Sequence, residues 1–379
     1  MSTNRSERIP PFIVMEVLER AKKLERAGKK IVHMEIGEPD FDTPAGIKQA
    51  AIRAIEQNET HYTHSLGILP LREAIAQHYR DKYGVTVQPE QVIVTQGTSP
   101  ALLLILCALL ERDDEIILTD PCYACYPNFV NYIDGVAVEI PISAKDGFIL
   151  HAEVAKQKIT SRTRAILINS PSNPTGTLLP AENMRQLVEL GPYIISDEIY
   201  HGLVYGEKEH SILEYTDRAF VLNGFSKYYA MTGWRLGCII APQEFVRPIQ
   251  KSQQNLFICA GSVSQWAGVS ALTEHHPELA RMVRTYDERR RYLLNALREL
   301  GFGIAVEPRG AFYVLADARF LGANSYDLAF DILETCGVAV DPGIDFGVNA
   351  EGFLRFSYAN SLQNLKTGID RLKEYISKR

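Results

Sequence analysis

The sequence predicts an α/β protein in which a mostly parallel sheet covered by helices forms a large domain, with a smaller α+β domain after it. Three observations predict it. Short apolar runs alternate with helix-length amphipathic stretches through the middle of the chain, the pattern of strands joined by crossover helices. Polar and charged residues follow those runs directly, where the carboxyl ends of parallel strands open onto a ligand crevice. After a long helical stretch from Glu288 to Leu300 the alternation stops, and two further strand-like runs follow, Gly310–Leu315 and Gly352–Tyr358.

Taken in order, Ile13–Ala27 has the spacing of an amphipathic helix, and the Pro-containing segment Gly37–Pro44 has the composition of a linker. Residues 1–44 are therefore expected to form an arm and a helix joining the small domain. Residues 45–285 are expected to form the large domain and residues 286–379 the small one. The expected strands of the large domain are Val92–Thr95, Glu115–Thr119, Ala165–Asn169, Tyr193–Ser196, Ala219–Leu222 and Gly237–Ile240. The longest apolar run, Ala101–Leu110, is too short to span a bilayer and is expected as a buried helix. Arg289, Arg290 and Arg291, with acidic neighbours in a helical stretch, are expected on a solvated face.

At 379 residues the chain is long enough for two domains and a closed site. Its 46% hydrophobic and 23% charged residues are those of an ordinary globular protein. A formal charge of −6 with no basic stripe argues against a nucleic-acid binder. The polar start of the chain lacks the apolar core of a signal peptide, so a cytoplasmic location is expected. Cys122 and Cys125 form a C-x-x-C without a second pair, and reduced thiols rather than a metal site are expected.

Gly97, Asp120, Asn173, Asp197 and Lys227 all follow expected strands and are predicted to converge on one crevice. Lys227, between two apolar strands, is a candidate amine nucleophile, because a desolvated ammonium loses its proton more easily. Taken alone, such a lysine is more often a solvated surface residue. Gly97, Thr98 and Ser99 open the apolar helix and form either an anion cup at its positive end or a plain helix cap. Arg235, flanked by Gly233 and Gly237, can bind the same anion through two hydrogen bonds or pair with a carboxylate. Asp197, at a strand end, is either a helix cap or a Mg²⁺ ligand in a nucleotide-hydrolysing site, and the lack of a G-x-x-x-x-G-K-S/T phosphate loop weakens the second.

Four motifs in order, Asn173-Pro174-Thr175-Gly176, Ser196-Asp197-Glu198-Ile199-Tyr200, Ser226-Lys227 with Gly233-Trp234-Arg235-Leu236-Gly237, and Leu354-Arg355-Phe356-Ser357, give the chain its resemblance. It resembles the class I/II, fold-type I pyridoxal-phosphate aminotransferases, the aspartate-aminotransferase-like group, from Gly37 to Arg355. The resemblance implies the family's seven-stranded large-domain sheet and pyridoxal 5'-phosphate as cofactor. It implies transfer of an amino group from an L-amino acid to a 2-oxo acid, in two stages through the pyridoxamine form. By the same resemblance Lys227 holds the cofactor and moves the proton, Asp197 faces the pyridine nitrogen, and Asn173 and Tyr200 bond the phenolic oxygen. Gly97, Thr98, Ser99, Ser226 and Arg235 take the phosphate, and Tyr123 stacks on the ring. Tyr62 reaches the phosphate of a neighbouring subunit in a homodimer, while Arg355 and Gly37 hold the substrate carboxylate with Asn173. A C–S lyase or decarboxylase on the same fold is the alternative, since the same cofactor can break other bonds at Cα. His33, His61, His64 and Lys145 are candidates for reading the substrate side chain, and no motif selects among them.

Overall fold

The computed structural model describes Glu7 and residues 9–379. A short strand β1, Val32–His33, precedes a run of seven strands: β2 Val92–Thr95, β3 Glu115–Asp120, β4 Val136–Pro141, β5 Thr163–Asn169, β6 Tyr193–Asp197, β7 Ala219–Gly224 and β8 Gly237–Ile240. These seven form one sheet in the order β2-β8-β7-β6-β5-β3-β4. Only β8 runs against its neighbours, β7 and β2; every other pair is parallel. The apolar runs explain the architecture: β2 and β8 are buried along their whole length, as strands covered on both faces must be. Helix Thr98–Leu109, apolar on nearly every side, packs on β7, β8 and helix Gln243–Leu256.

The six strands expected from sequence are present, and β4 is the addition. It lies at the sheet edge with Val136, Glu139 and Pro141 exposed, so its sequence lacks the buried apolar run that marks the others.

Strand direction places the site. Five parallel strands and β2 end on the same edge, and β8, running the other way, begins there. Residues after β2, β6 and β7 and the residue just before β8 therefore share one crevice. At the β2–β8 junction, a Cβ on Gly237 would stand 2.8 Å from the Gly97 carbonyl carbon, so two glycines permit that approach.

The rest of the chain builds a second layer beside this edge. Strands β9, Tyr313–Asp317, β11, Asp341–Pro342, and β12, Phe353–Ser357, make an antiparallel sheet in the order β11-β12-β9. Strand β1 pairs in parallel with β10, Val338–Ala339, tying the N-terminal segment to the C-terminal one. Helix Ile13–Arg26 lies against β10, β11 and helix Ser325–Cys336. The expected division at residue 285 lies within the unbroken helix Pro277–Glu299. Among the described residues no helix is long and apolar enough to cross a membrane.

The arginine run on that long helix departs from expectation. Arg289 and Arg290 are buried: Arg289 pairs with Asp40 at 2.7 Å, and Arg290 binds Asp287 at 2.7 Å and the Pro308 carbonyl at 3.1 Å. Only Arg291 is on the solvated face. Asp40 and Pro308, distant in sequence, supply the partners that make burial of these charges tolerable.

Candidate active site

A cavity of about 410 Å³ lies along the strand-end edge of the large sheet and extends to the three-stranded sheet and helix Ile13–Arg26. Lys227 enters it from the loop after β7. Its Nζ donates to the Gly37 carbonyl at 2.5 Å and stands 5.8 Å from the centre of the Tyr200 ring. Burial, with the nearby charges of Arg355 and Arg235, lowers its pKa to about 8, while Glu38 and Asp197 act in the opposite direction. Near neutral pH this amine is thus far easier to deprotonate than a surface lysine.

Asp197 ends β6, fully inside. Tyr126 Oη donates to its Oδ2 at 2.6 Å and the Ile199 N–H donates to its Oδ1 at 3.0 Å. Burial pushes its pKa up to about 6, and the Tyr126 hydroxyl, the Ile199 amide and Lys227 all pull the other way. The carboxylate therefore remains mostly ionised at neutral pH although water hardly reaches it. Asn169, at the end of β5, braces the same corner. Its Nδ2 donates to the Asp197 carbonyl at 2.9 Å, and its Oδ1 accepts the Asn173 N–H at 2.8 Å.

The anion cup takes shape at helix Thr98–Leu109. Its cap, Gly97, has φ +97° and no side chain to satisfy the first-turn N–H groups. Arg235, itself at φ +50°, lies just before β8 and is steadied by a 3.0 Å bond from Nη1 to the Thr232 carbonyl. A Cβ on Gly97 would stand 2.5 Å from Arg235 Nη2, so only a bare backbone lets the guanidinium and the helix end share one space. Thr98, Ser99 and Ser226 border the same cavity.

Arg355 reaches in from β12, where its strand partners are Asp341 and Leu315. Nη1 donates to Asn173 Oδ1 at 2.8 Å, and Nη2 donates to the Glu35 carbonyl at 2.5 Å and pairs with Asp341 Oδ2 at 2.8 Å. Its guanidinium lies between the rings of Tyr313 and Phe346, 4.3 and 4.7 Å away. Among the described residues, its Nε is buried without a hydrogen-bond partner.

Gly37, Thr98, Ser99, Tyr123, Asn173, Asp197, Tyr200, Ser226, Lys227, Arg235 and Arg355 thus border one cavity, with Gly97 directly behind Arg235. Two expectations fare differently. Asp120 turns away: its carboxylate takes the Asn349 side-chain amide at 2.8 Å and serves as a tie to the loop before β12. Tyr62, 81% exposed, does not border the cavity of its own chain.

Sequence reasoning missed Tyr126 and Tyr313. Tyr126 follows Tyr123 by three residues, the spacing that puts both on one side of a helical turn, and the two rings meet edge to face at 5.3 Å. Tyr313 shares a 2.8 Å hydrogen bond with Tyr200, hydroxyl to hydroxyl, across the two sheets.

An anion cup with a guanidinium, an ionised buried carboxylate and an amine of lowered pKa together fit pyridoxal phosphate: its phosphate, its ring nitrogen and its aldehyde. Comparison with known proteins agrees. Residues 29–372 match the family described as aminotransferase class I and II. The (5-formylfuran-3-yl)methyl phosphate transaminase of Methanocaldococcus jannaschii is 40% identical over the full length of both chains. The aspartate/prephenate aminotransferase of Thermus thermophilus is 38% identical over 99% of each. The solved aspartate aminotransferase of Thermus thermophilus with maleate superposes with a TM-score of 0.95 at 37% identity, covering 99% of each chain. These relatives are named for amino-group transfer, which sets aside the lyase or decarboxylase alternative. The chain belongs to the class I and II aminotransferases and is a pyridoxal-phosphate enzyme that transfers an amino group from an amino acid to a 2-oxo acid.

Proposed function

We propose that Lys227, Asp197 and Arg355 divide the work of this transfer, with Lys227 moving the proton. The observation that carries the reading is the meeting, in one cavity, of an amine of lowered pKa, a buried ionised carboxylate and a guanidinium held in place by Asn173 and Asp341. Bound pyridoxal phosphate supplies an aldehyde for the amino group and a ring that accepts the electron pair left at Cα.

Arg355 and the Gly37 backbone N–H hold the substrate α-carboxylate, and Asn173 keeps the guanidinium in its plane. That grip fixes Cα within reach of Lys227, whose Nζ takes the proton from Cα and returns it on the other side of the transfer. The bond from Lys227 to the Gly37 carbonyl supports the role, since it poises the amine beside the residue assigned to the carboxylate. Asp197 keeps the ring nitrogen protonated through its negative charge, and Tyr126 keeps Asp197 charged. Thr98, Ser99, Ser226, Arg235 and the helix end behind Gly97 take the phosphate. Tyr123 covers the ring, and Tyr200 and Asn173 donate to its phenolic oxygen.

A homodimer and a cytoplasmic location belong to the same proposal. Tyr62 is offered to the phosphate of the partner subunit's site, a role supported by its exposure. Six free cysteines fit a reducing compartment. The test is the half-reaction: purified holoenzyme given an amino donor loses its visible-edge absorption and releases the 2-oxo acid, and Lys227→Ala loses both. Transfer at the wild-type rate by Lys227→Ala, or release of ammonia or carbon dioxide in place of oxo acid, would refute the assignment.

A further inference from the structure

We propose that the amino donor preferred at this site carries an uncharged apolar side chain, aromatic or long aliphatic, and not a second carboxylate. The inference rests on the aminotransferase reading above and concerns the part of the cavity that the α-carboxylate and cofactor leave free.

A side-chain carboxylate entering the cavity gives up part of its hydration and needs a cation of its own to offset that cost. Among the described residues, the cations bordering the cavity are Lys227, Arg235 and Arg355. Each is committed: Lys227 is the reacting amine, Arg235 sits at the phosphate cup, and Arg355 is held to Asn173, Glu35 and Asp341 for the α-carboxylate. The remaining charge at the cavity is negative. Glu38 takes a hydrogen bond from the Thr232 hydroxyl and would repel a second carboxylate.

The basic residues that the sequence left open do not change this count. His33 is clamped between Glu35 at 2.7 Å and Glu25 at 3.1 Å, and His64 accepts the Leu66 N–H at 3.2 Å. Neither of them, nor His61 or Lys145, borders the cavity.

One wall of the cavity is apolar. Phe12, Val14, Met15 and Leu18 present a wall from the start of helix Ile13–Arg26, and Ile36 continues it. The helix start is pinned by Asp345, whose carboxylate accepts the Ile13 and Val14 N–H groups at 3.0 and 3.3 Å. Phe12 meets Tyr123 edge to face, with centres 5.9 Å apart. Met15 faces this space while 47% exposed. An apolar ligand group would cover that thioether and gain the burial energy that a carboxylate would forfeit.

The experiment measures the single-turnover rate constant over substrate concentration for holoenzyme with L-phenylalanine, L-leucine, L-alanine, L-aspartate and L-glutamate. Phenylalanine or leucine should exceed both dicarboxylates by about tenfold or more. Met15→Arg, which puts a cation on the wall, should shift the ratio of aspartate to phenylalanine rates upward by about tenfold. Aspartate or glutamate matching or beating the apolar donors in the wild type would overturn the proposal, and would point to a cation brought by the partner subunit. An unchanged ratio in Met15→Arg would overturn the assignment of the wall. Inertness toward all five donors, by contrast, would refute the aminotransferase reading itself and the proposal with it.

Discussion

Tyr126→Phe isolates one hydrogen bond at a buried carboxylate of the site. The ring stays, so the edge-to-face packing on Tyr123 stays, and only the 2.6 Å bond to Asp197 Oδ2 is lost. That bond stabilises the ionised carboxylate, so its loss raises the Asp197 pKa above the wild-type value of about 6. A hydrogen bond to a charged group is worth about 1.5–3 kcal/mol, which corresponds to about 1–2 pKa units and puts the variant at roughly 7–8. At pH 7 the wild-type carboxylate is then about nine-tenths ionised and that of the variant between about half and a tenth, a roughly two- to tenfold loss of affinity for a ligand needing the anion. The assay is titration of apoenzyme with pyridoxal phosphate from pH 5.5 to 9, wild type and variant side by side. Protonation of the phosphate is common to both and cancels in their ratio. The two affinities should converge at pH 9 and separate as pH falls through 8 and 7. A ratio that is constant across the range would refute the claim that Tyr126 keeps Asp197 charged.

Two further predictions concern Arg355 and Glu198. Arg355→Lys keeps the charge but gives up the planar pair of donors, so kcat/KM for amino and oxo acids should fall by about 30- to 150-fold, or about 2–3 kcal/mol, while cofactor content holds; unchanged kcat/KM would remove Arg355 from the substrate. Glu198 is fully buried, and burial raises its pKa from 4.5 to about 7 against hydrogen bonds from Ile212, Ser211, Tyr79 and Ser196. Because the folded pKa is the higher, its contribution is full below about 4.5 and is lost as pH rises through 7, about 3 kcal/mol in all. Glu198→Gln does not titrate, so the drop in urea-unfolding free energy from pH 5 to pH 8 should shrink by about 2.5 kcal/mol, the part of that total falling in this window; equal drops in the two proteins would refute the raised pKa.

How much of this was legible depends on where each residue's partner lies. Lys227, Asp197 and Asn173 could be read because apolar strands announce their own ends, and parallel strands bring those ends together. Arg235 could be read too, though β8 runs the other way; it precedes its strand instead of following it, which brings it to the same edge. Asp120 obeyed the same rule and still failed, because a strand end fixes the backbone while the side chain found Asn349, 229 positions away. Arg289 and Arg290 misled for a related reason: a charged helix stretch gives no sign of the Asp40 and Pro308 groups that bury it. Tyr126 and Tyr313 were illegible in another way. Both are buried rings that double as core, and nothing in a helix or strand pattern tells a packing tyrosine from one whose hydroxyl is used.

Tyr313 also helps explain how two separate sheets come to share one site. Asp197, Lys227 and Arg235 stand on the seven-stranded sheet and its loops, and Arg355 stands on β12 of the other. Side-chain bonds that span the gap include Asn173 to Arg355 at 2.8 Å and Tyr200 to Tyr313 at 2.8 Å. Each is buried, so separating the sheets would strand polar groups away from water at about 1–3 kcal/mol apiece unless solvent followed them in. Arg355 is stacked on Tyr313, which in turn is bonded to Tyr200, beside Lys227. A shift of the small sheet therefore moves Arg355 and the Tyr200 ring beside Lys227 together. The distance between Arg355 and Lys227 is thus fixed by the same contacts that join the sheets, which is why residues 182 positions apart, Asn173 and Arg355, act as one element.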